Sequence, residues 1–172
     1  GAEVTLVSGP THLADPEGAS VIPVETAEAM AEAVRDRLSE ADLLAAVAAV
    51  SDHRPEEPLP TKRKGKDAFE LPLTPTPDIL AEAAQRSERP LILGFAAESE
   101  SALAFGRDKR LAKGADYLAV NDISRSDAGF GVETNHLTLI GPEGEQALPF
   151  GSKREVARAL LKGLAPAPGT TA

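Results

Sequence analysis

The stretch LLAAVAAV, residues Leu43–Val50, is apolar at every position, and it decides the fold class. Two later runs share this character, LILGF at Leu91–Phe95 and YLAV at Tyr117–Val120. Continuous apolar runs of this length are typical of strands that are covered on both faces, as in a parallel sheet flanked by helices. Further strands are predicted at Glu3–Val7, Ser20–Val24 and His136–Ile140.

Helical patterns separate these strands. Thr26 can cap a first helix, and a second is predicted to begin at Asp78. A third helix is predicted from Ser99 to Lys113, and Gly114 would end it. The sequence SKRE at Ser152–Glu155 is typical of a capping box and predicts the start of the last helix. The alternation predicts an α/β fold with a Rossmann-like, doubly wound, mainly parallel sheet.

The length of 172 residues suits one domain, predicted over residues 1–164, with a disordered tail at 165–172. Residues 54–77 interrupt the rhythm with six prolines and a basic cluster, which predicts a long lid loop. The sequence begins at Gly1, directly before a predicted strand and without Met, so we expect part of a longer protein.

Composition excludes several classes of function. The net charge of −9 argues against general nucleic-acid binding, which needs a broad basic face. The absence of cysteine excludes disulfides and thiolate zinc sites, and the three histidines lack ligand-like spacing. No apolar run is long enough to span a membrane, and neither a P-loop nor a G-x-G-x-x-G motif occurs. We expect a cytoplasmic protein without membrane or nucleic-acid partners.

Candidate ligand residues follow the predicted strands, because open α/β sheets bind ligands beyond the carboxyl ends of their strands. Ala48 and Ala49 would let a ligand approach the backbone, and Asp52 offers a carboxylate. The alternative is that Asp52 only caps a turn. TPDIL adds a helix N-terminus that suits a polar or anionic ligand.

The predicted lid carries four cations within five residues, at Lys62, Arg63, Lys64 and Lys66. Such a cluster suits a triphosphate, whose charge it would neutralise as the loop folds over. The alternative is a solvated basic run.

Three further features have structural alternatives. Phe95 could lie against a nucleobase or belong to the core. Lys109 and Lys113 are four residues apart on one helix face, where they could bind a ligand or only complement the helix dipole. Asn121 and Asp122 follow the strand Tyr117–Val120 and could belong to the ligand site, but we expect a turn, since both are turn formers.

The order of these motifs resembles a known family. The succession is VTLVSGPTHL, AAVSDHRP, TKRKGK, LTPTPDIL, LGFAAES, KRLAKGADYLAVNDIS, GFGVETNHLTLI and LPFGSKREVARALL. It is similar to the phosphopantothenoylcysteine synthetase domain (phosphopantothenate–cysteine ligase) of bacterial coenzyme A biosynthesis, over Val4–Leu164. That domain is commonly the C-terminal half of a bifunctional protein with a flavin-dependent phosphopantothenoylcysteine decarboxylase.

The resemblance implies a reaction in two steps. The carboxylate of 4′-phosphopantothenate attacks the α-phosphate of CTP, with Mg²⁺ assisting, to give an acyl cytidylate and pyrophosphate. Cysteine then displaces CMP. It also implies a homodimer, with part of the substrate site crossing the interface, and the homodimer is adopted on this ground alone.

Site residues follow from the resemblance position by position. Lys62 matches the loop lysine that reaches the phosphates, and with Asp52 it is expected to be catalytic. Ala48, Ala49 and Asp52 match contacts to substrate or acyl cytidylate. The expected nucleotide contacts are Ala46, Val47, Ala48, Asp52, Lys62, Pro77, Asp78, Ile79, Leu80, Phe95, Lys109 and Lys113. The metal ligands are unknown.

The sequence departs from the family in two places. The fourth position of the K-x-K-K run is Gly65, with Lys66 one step later. The segments of the type TAGPT and NHSSGKMG do not occur in this sequence, so we expect that the chain alone does not complete catalysis. The alternatives are a catalytically incomplete nucleotide-binding or dimerisation fragment, a Rossmann dehydrogenase-like domain, and a scaffold module.

Overall fold

The computed structural model describes residues 1–59, 61–65, 67–98, 102–123 and 131–164. Its strands and helices are numbered in chain order. The strands are β1 Val4–Ser8, β2 Ala19–Pro23, β3 Leu43–Ala46, β4 His53–Pro55, β5 Leu73–Pro75, β6 Leu91–Glu98, β7 Tyr117–Asp122, β8 Thr134–Asn135, β9 Leu137–Gly141, β10 Gly144–Ala147 and β11 Gly151–Ser152. The helices are α1 Ala27–Arg37, α2 Ile79–Ala84, α3 Ala102–Lys113 and α4 Lys153–Gly163, and a single 3₁₀ turn spans Leu38–Glu40.

The chain forms two compact units, and the predicted span 1–164 includes residues of both. Unit 1 consists of Gly1–Val34 and Ala48–Asp78. Unit 2 consists of Arg35–Val47 and Ile79–Ala172. The predicted tail at 165–172 lies outside the described residues.

Unit 2 is built on a five-stranded sheet in the order β10-β9-β7-β6-β3. The strands β3, β6 and β7 are parallel, and they are the three continuous apolar runs of the sequence. The strands β9 and β10 then extend the sheet antiparallel from β7. A second small pair, β8 with β11, is antiparallel.

Helices cover both faces of this sheet. On one face Val156 and Leu160 of α4 pack with Leu93, Tyr117 and other buried residues into the larger core cluster. On the other face Ala102 at the start of α3 packs against a cluster of Ala96, Leu118, Val120 and Ile140. The fold is therefore α/β, with a doubly wound sheet whose centre is parallel, as the sequence predicts.

Unit 1 contains two small sheets and the start of α1. Strands β1 and β2 are parallel, while β4 and β5 form an antiparallel pair on either side of residues 56–72. Thr26 caps α1, because its hydroxyl accepts a hydrogen bond from the Ala29 amide at 3.1 Å. The long proline-rich segment of the sequence thus connects two paired strands.

Several predicted boundaries move. The run Leu43–Val50 leaves the sheet after Ala46, and β7 continues to Asp122. Asn121 and Asp122 are therefore strand residues that pair with β6, and the prediction that they form a turn is wrong. The capping box at Ser152 and the left-handed Gly114, with φ of 69°, are confirmed. The start predicted for the third helix, residues 99–101, lies outside the described residues.

Candidate functional site

A cavity of about 640 Å³ lies in unit 1 and is lined by residues of that unit. Ala48 and Ala49, two of the predicted substrate contacts, form part of its wall. Their methyl groups leave room beside the backbone at a point where the chain has left β3 and has not yet entered β4. Other parts of the wall come from Gly9, Thr26, Met30 and Thr76. The cavity has the size of a small-molecule site.

The end of the segment Ala48–Asp52 is held by hydrogen bonds from Thr76. The Thr76 amide donates to the Asp52 carbonyl at 3.0 Å, and the Thr76 hydroxyl donates to the Ser51 carbonyl. The Ser51 hydroxyl in turn donates to the His53 carbonyl at 2.9 Å. Because Thr76 immediately precedes Pro77, the structure brings the predicted ligand segments at Asp52 and at Pro77–Asp78 together within unit 1.

An ion pair between Glu28 and Arg54 also lines the cavity. Glu28 lies in the first turn of α1, and a hydrogen bond from its own backbone amide, together with its contacts to Arg54, lowers its pKa. Arg54 additionally donates to the Pro55 carbonyl at 3.1 Å. Sequence reasoning missed this pair, since neither residue belongs to a recognisable charge pattern. The position of Arg54 directly after the AAVSDH segment is the only signal that points to it.

The basic loop presents its cations to solvent. Lys62, Arg63 and Lys64 are exposed, and Gly65 has a φ of 115° that favours glycine. The Arg63 guanidinium carbon lies 4.2 Å from the centroid of the Phe69 ring, which is a cation–π contact. Within the described residues, Lys62 and Lys64 have no ion-pair partner. Lys66 lies outside the described residues.

In unit 2 two of the predicted nucleotide contacts, Ala46 and Leu80, lie beside Gly94 of β6. Ala46 pairs with Gly94, and a Cβ atom on Gly94 would lie 2.8 Å from Cδ2 of Leu80. Leu80 of α2 therefore packs directly over the strand, on the face opposite to the Phe95 side chain, because successive strand residues point to opposite faces. The Phe95 side chain is partly buried against the cluster beneath α4. Phe95 is therefore at least partly a core residue, which is the structural alternative given for it above.

The two helix lysines lie on α3, which covers the face of the sheet opposite to the Phe95 side chain. Lys109 Nζ lies 3.7 Å from Glu98 Oε1, at the carboxyl end of β6. Successive strand residues point to opposite faces, so Glu98 and Phe95 face opposite ways. The structure thus places Lys109 and Lys113 together on α3 but does not bring them to the Phe95 ring. The Oδ1 atom of Asn121, at the same sheet edge, is buried without a hydrogen-bond partner in the described part of the chain.

The predicted site residues are divided between the units. Ala48, Ala49, Asp52, Lys62, Pro77 and Asp78 belong to unit 1. Ala46, Val47, Ile79, Leu80, Phe95, Lys109 and Lys113 belong to unit 2. Val47 is exposed at the end of β3, and Ile79 begins α2. Whether these residues bind a nucleotide stays a prediction.

Two kinds of feature concern the described residues as a whole, clusters of metal-ligating side chains and helices that could span a membrane. They contain no group of three or more histidine, aspartate or glutamate side chains that could hold a metal ion. No helix among them has the length and apolar character needed to cross a bilayer.

The chain is similar in sequence to proteins of known name. The chain is 38% identical over 165 residues to the coenzyme A biosynthesis bifunctional protein CoaBC of Vibrio cholerae, and 37% identical over 168 residues to the protein of the same name in Bacillus subtilis. These matches cover 94% and 96% of the chain but 41% of each relative, so the chain spans about two fifths of their length.

Two solved structures show the same fold. A crystal structure of the C-terminal domain of CoaBC matches with a TM-score of 0.76 at 35% identity, covering 94% of this chain and 74% of that one. The DNA/pantothenate metabolism flavoprotein from Streptococcus pneumoniae matches with the same TM-score at 18% identity, covering 94% of this chain and 80% of that one, which supports the fold alone.

The sequence profile of one family spans nearly the whole chain. It is described as the DNA/pantothenate metabolism flavoprotein C-terminal domain, and it matches residues 1–166. The extent of this match, the identity to the CoaBC proteins and the order of the motifs all indicate the same family. The chain therefore belongs to the DNA/pantothenate metabolism flavoprotein C-terminal domain family.

Proposed function

We propose that the chain is the ligase part of a coenzyme A biosynthesis protein, which joins 4′-phosphopantothenate to cysteine at the expense of CTP. The observation that carries the proposal is the arrangement in unit 1, where Ala48 and Ala49 line a cavity and Thr76 ties Asp52 to the Pro77–Asp78 segment. These are the positions at which the sequence resembles the synthetase family. The names of the CoaBC relatives support the same pathway.

The proposed chemistry has two balanced steps. A carboxylate oxygen of 4′-phosphopantothenate attacks the α-phosphorus of CTP, and the bond to the β-phosphate oxygen breaks, so pyrophosphate leaves. The cysteine amine then attacks the carbonyl carbon of the acyl cytidylate, loses a proton, and CMP leaves. The protein's contribution is to position the reactants and to stabilise the charge that develops on the phosphates.

Lys62 has the properties that the first step needs. It is exposed on the basic loop and has no ion-pair partner in the described residues, so its charge is available to a phosphate. In the proposed function it contacts the triphosphate and stabilises the leaving pyrophosphate. Asp52, whose backbone carbonyl accepts from the Thr76 amide, is assigned to nucleotide and substrate in this proposal, and its neighbours Ser51 and His53 line the cavity.

Magnesium is expected to accompany CTP, because triphosphates usually bring it to their sites. The described residues offer no cluster of three ligating side chains. No protein residue is therefore assigned to Mg²⁺, and no step of the mechanism depends on one.

A second domain and a homodimer are also part of the proposal. The bifunctional relatives are more than twice the length of this chain, which supports a covalently linked or associated flavin-dependent decarboxylase domain. A homodimer is proposed from the family resemblance.

A second candidate is nucleotide binding without the complete reaction. It is favoured by one observation, that the NHSSGKMG-like segment of the family does not occur in this sequence. Adding a polypeptide that contains this segment separates the two candidates. Pyrophosphate release from CTP and 4′-phosphopantothenate would then appear only if the chain takes part in the ligase reaction.

The first experiment is a thermal-shift titration of the chain with CTP, ATP, GTP and UTP in the presence of Mg²⁺. A ligand that binds only the folded protein raises the melting temperature by mass action. We expect a concentration-dependent rise with CTP and little change with the other three. Equal shifts with all four nucleotides would contradict CTP specificity, and no shift with any would contradict binding by this chain.

The Lys62→Ala variant tests the role of the basic loop. We expect a loss of more than tenfold in CTP affinity, because one phosphate contact disappears while the unliganded melting temperature stays unchanged. Lys153→Ala is the matched control, since Lys153 is an equally charged, exposed residue on α4. Unchanged affinity in Lys62→Ala would remove this lysine from the site.

A further inference from the structure

Thr76 occupies an unusual position between two segments of unit 1. It follows the last residue of β5 and immediately precedes Pro77, which has no amide hydrogen to donate. The β4–β5 ladder ends with the pair His53 and Pro75. Thr76 therefore makes the last contacts from this strand to the segment that contains Ser51 and Asp52.

Thr76 reaches that segment with two donors. Its amide donates to the Asp52 carbonyl at 3.0 Å, and its hydroxyl donates to the carbonyl of the preceding residue, Ser51. Two adjacent carbonyls are thereby fixed by one residue. Since a residue before proline is restricted to extended backbone, Thr76 cannot easily swing away from them.

The segment has little other support. Residues 47–52 lie outside every strand, and Ser51 and Asp52 are exposed. If the Thr76 hydroxyl were removed, the Ser51 carbonyl could turn to water, so the cost in unfolding free energy would be small. What the hydroxyl supplies is mainly a fixed position of the segment, and small displacements of positioning groups are costly for binding and catalysis.

From these contacts we propose that Thr76 is a positioning residue for the ligand site of unit 1. It holds the backbone of Ala48–Asp52 in register with Pro77–Asp78, so that both segments meet the same ligand. The inference rests on the proposed function, in which these segments contact CTP and the substrate. It adds a residue that is absent from the predicted ligand contacts, although Thr76 itself forms part of the cavity wall.

Three variants separate the hydroxyl from the rest of the side chain. Thr76→Val keeps the shape and loses the donor, whereas Thr76→Ser keeps the donor. Thr74→Val is the matched control, because Thr74 lies two residues earlier on β5, and its hydroxyl makes no side-chain hydrogen bond in the described residues. The same β-branched exchange is thus made with and without the loss of a contact.

The first measurement is the apparent Kd of CTP from thermal-shift titrations of all four proteins. We expect Thr76→Val to bind CTP at least fivefold more weakly, with Thr76→Ser and Thr74→Val within twofold of the wild type. The unliganded melting temperature of Thr76→Val should stay within about 2 °C of the Thr74→Val control. A fall in melting temperature without a change in Kd would show a merely structural residue and overturn the proposal.

The second measurement is hydrogen–deuterium exchange of the unliganded proteins. In Thr76→Val the amides of residues 48–54 should exchange faster than in Thr74→Val, and unchanged exchange would overturn the positioning role. This measurement needs no nucleotide. Exchange could be faster in Thr76→Val while no nucleotide raises the melting temperature of the wild type. In that case the proposed function fails, but the positioning of this segment by Thr76 stands.

Discussion

At Gly106 the helix α3 lies in close contact with the central sheet of unit 2. A Cβ atom at this position would lie 2.5 Å from Cγ2 of Val120 and 2.9 Å from Cδ1 of Ile140. Ordinary contacts begin at 3.4 Å, so Gly106→Ala requires the helix and β7 to part by about 0.9 Å. Val120 is 2% exposed and β-branched, which leaves it little freedom to rotate away.

The magnitude follows from two opposing effects. Overpacking of a filled core costs about 1–3 kcal/mol, and the stiff neighbour places this site near the upper end. Replacing glycine by alanine inside a helix returns about 1 kcal/mol. We therefore expect Gly106→Ala to lower the free energy of unfolding by about 2 kcal/mol, which corresponds to a fall of about 4–8 °C in melting temperature for a chain of this size.

The assay is urea denaturation followed by circular dichroism, with Ala104→Gly as the matched control. Ala104 lies on the exposed side of the same helix, so its exchange for glycine changes helix propensity by the same amount with the opposite sign and leaves the core untouched. The double exchange Ala104→Gly with Gly106→Ala should then show the packing cost alone, about 3 kcal/mol. If Gly106→Ala were as stable as the wild type or more so, the close approach of α3 to the sheet would be refuted.

Two further predictions concern polar contacts of unit 2. Burial raises the pKa of Asp116, but the hydrogen bonds from Arg89 and from the Ile92 amide outweigh burial and hold that pKa below its ordinary value. The stabilisation of the folded state by this carboxylate is therefore complete above about pH 4. It is lost as the pH falls through the folded-state pKa. Asp116→Asn should therefore be less stable at pH 7, with a deficit that shrinks below pH 4 in melting curves recorded against pH, and a constant deficit would contradict the linkage. Ser152→Ala should lose about 1 kcal/mol of unfolding free energy in urea titrations, because the capping box of α4 loses the hydroxyl that accepts from the Glu155 amide, while Ser152→Thr should retain most of it. Equal losses in both Ser152 variants would show that the hydroxyl is not the stabilising group.

The fold was predictable where local pattern and tertiary environment agree. The three apolar runs became the parallel strands because each must be covered on both faces, and the capping residues Thr26 and Ser152 mark helix starts through chemistry that acts within one turn. The end of β3 was not predictable in the same way. Residues 47–50 are as apolar as those before them, but the pairing partner of β3 determines where the ladder stops.

The short antiparallel pairs escaped prediction for a related reason. Strands β8 and β11 are two residues each, and β4 is three, which is too short to show a period of two. The residue type of Asn121 by itself predicts a turn. Pairing with Ala97 of β6 and Leu137 of β9 overrides that preference.

The candidate site was predictable in its residues but not in its supports. The order of the motifs identifies Ala48, Asp52 and Lys62 because the family resemblance carries them. The contacts that hold these positions, Thr76 to Ser51 and Arg54 to Glu28, join residues far apart in the chain. No local pattern reports such pairs, since they depend on how the segments pack.

The division into two units also constrains how the protein is made. Each unit consists of two separate stretches of chain, and the stretches alternate, so the polypeptide passes from one unit to the other after Val34, after Val47 and after Asp78. The first stretch of unit 2, which contains β3, leaves the ribosome before unit 1 is complete, and it must wait for β6 before it can pair. No single cut in the gene releases either unit whole. A circular permutation would not separate them, because the stretches would still alternate; unit 1 alone requires a linker in place of residues 35–47, and unit 2 alone requires one in place of residues 48–78.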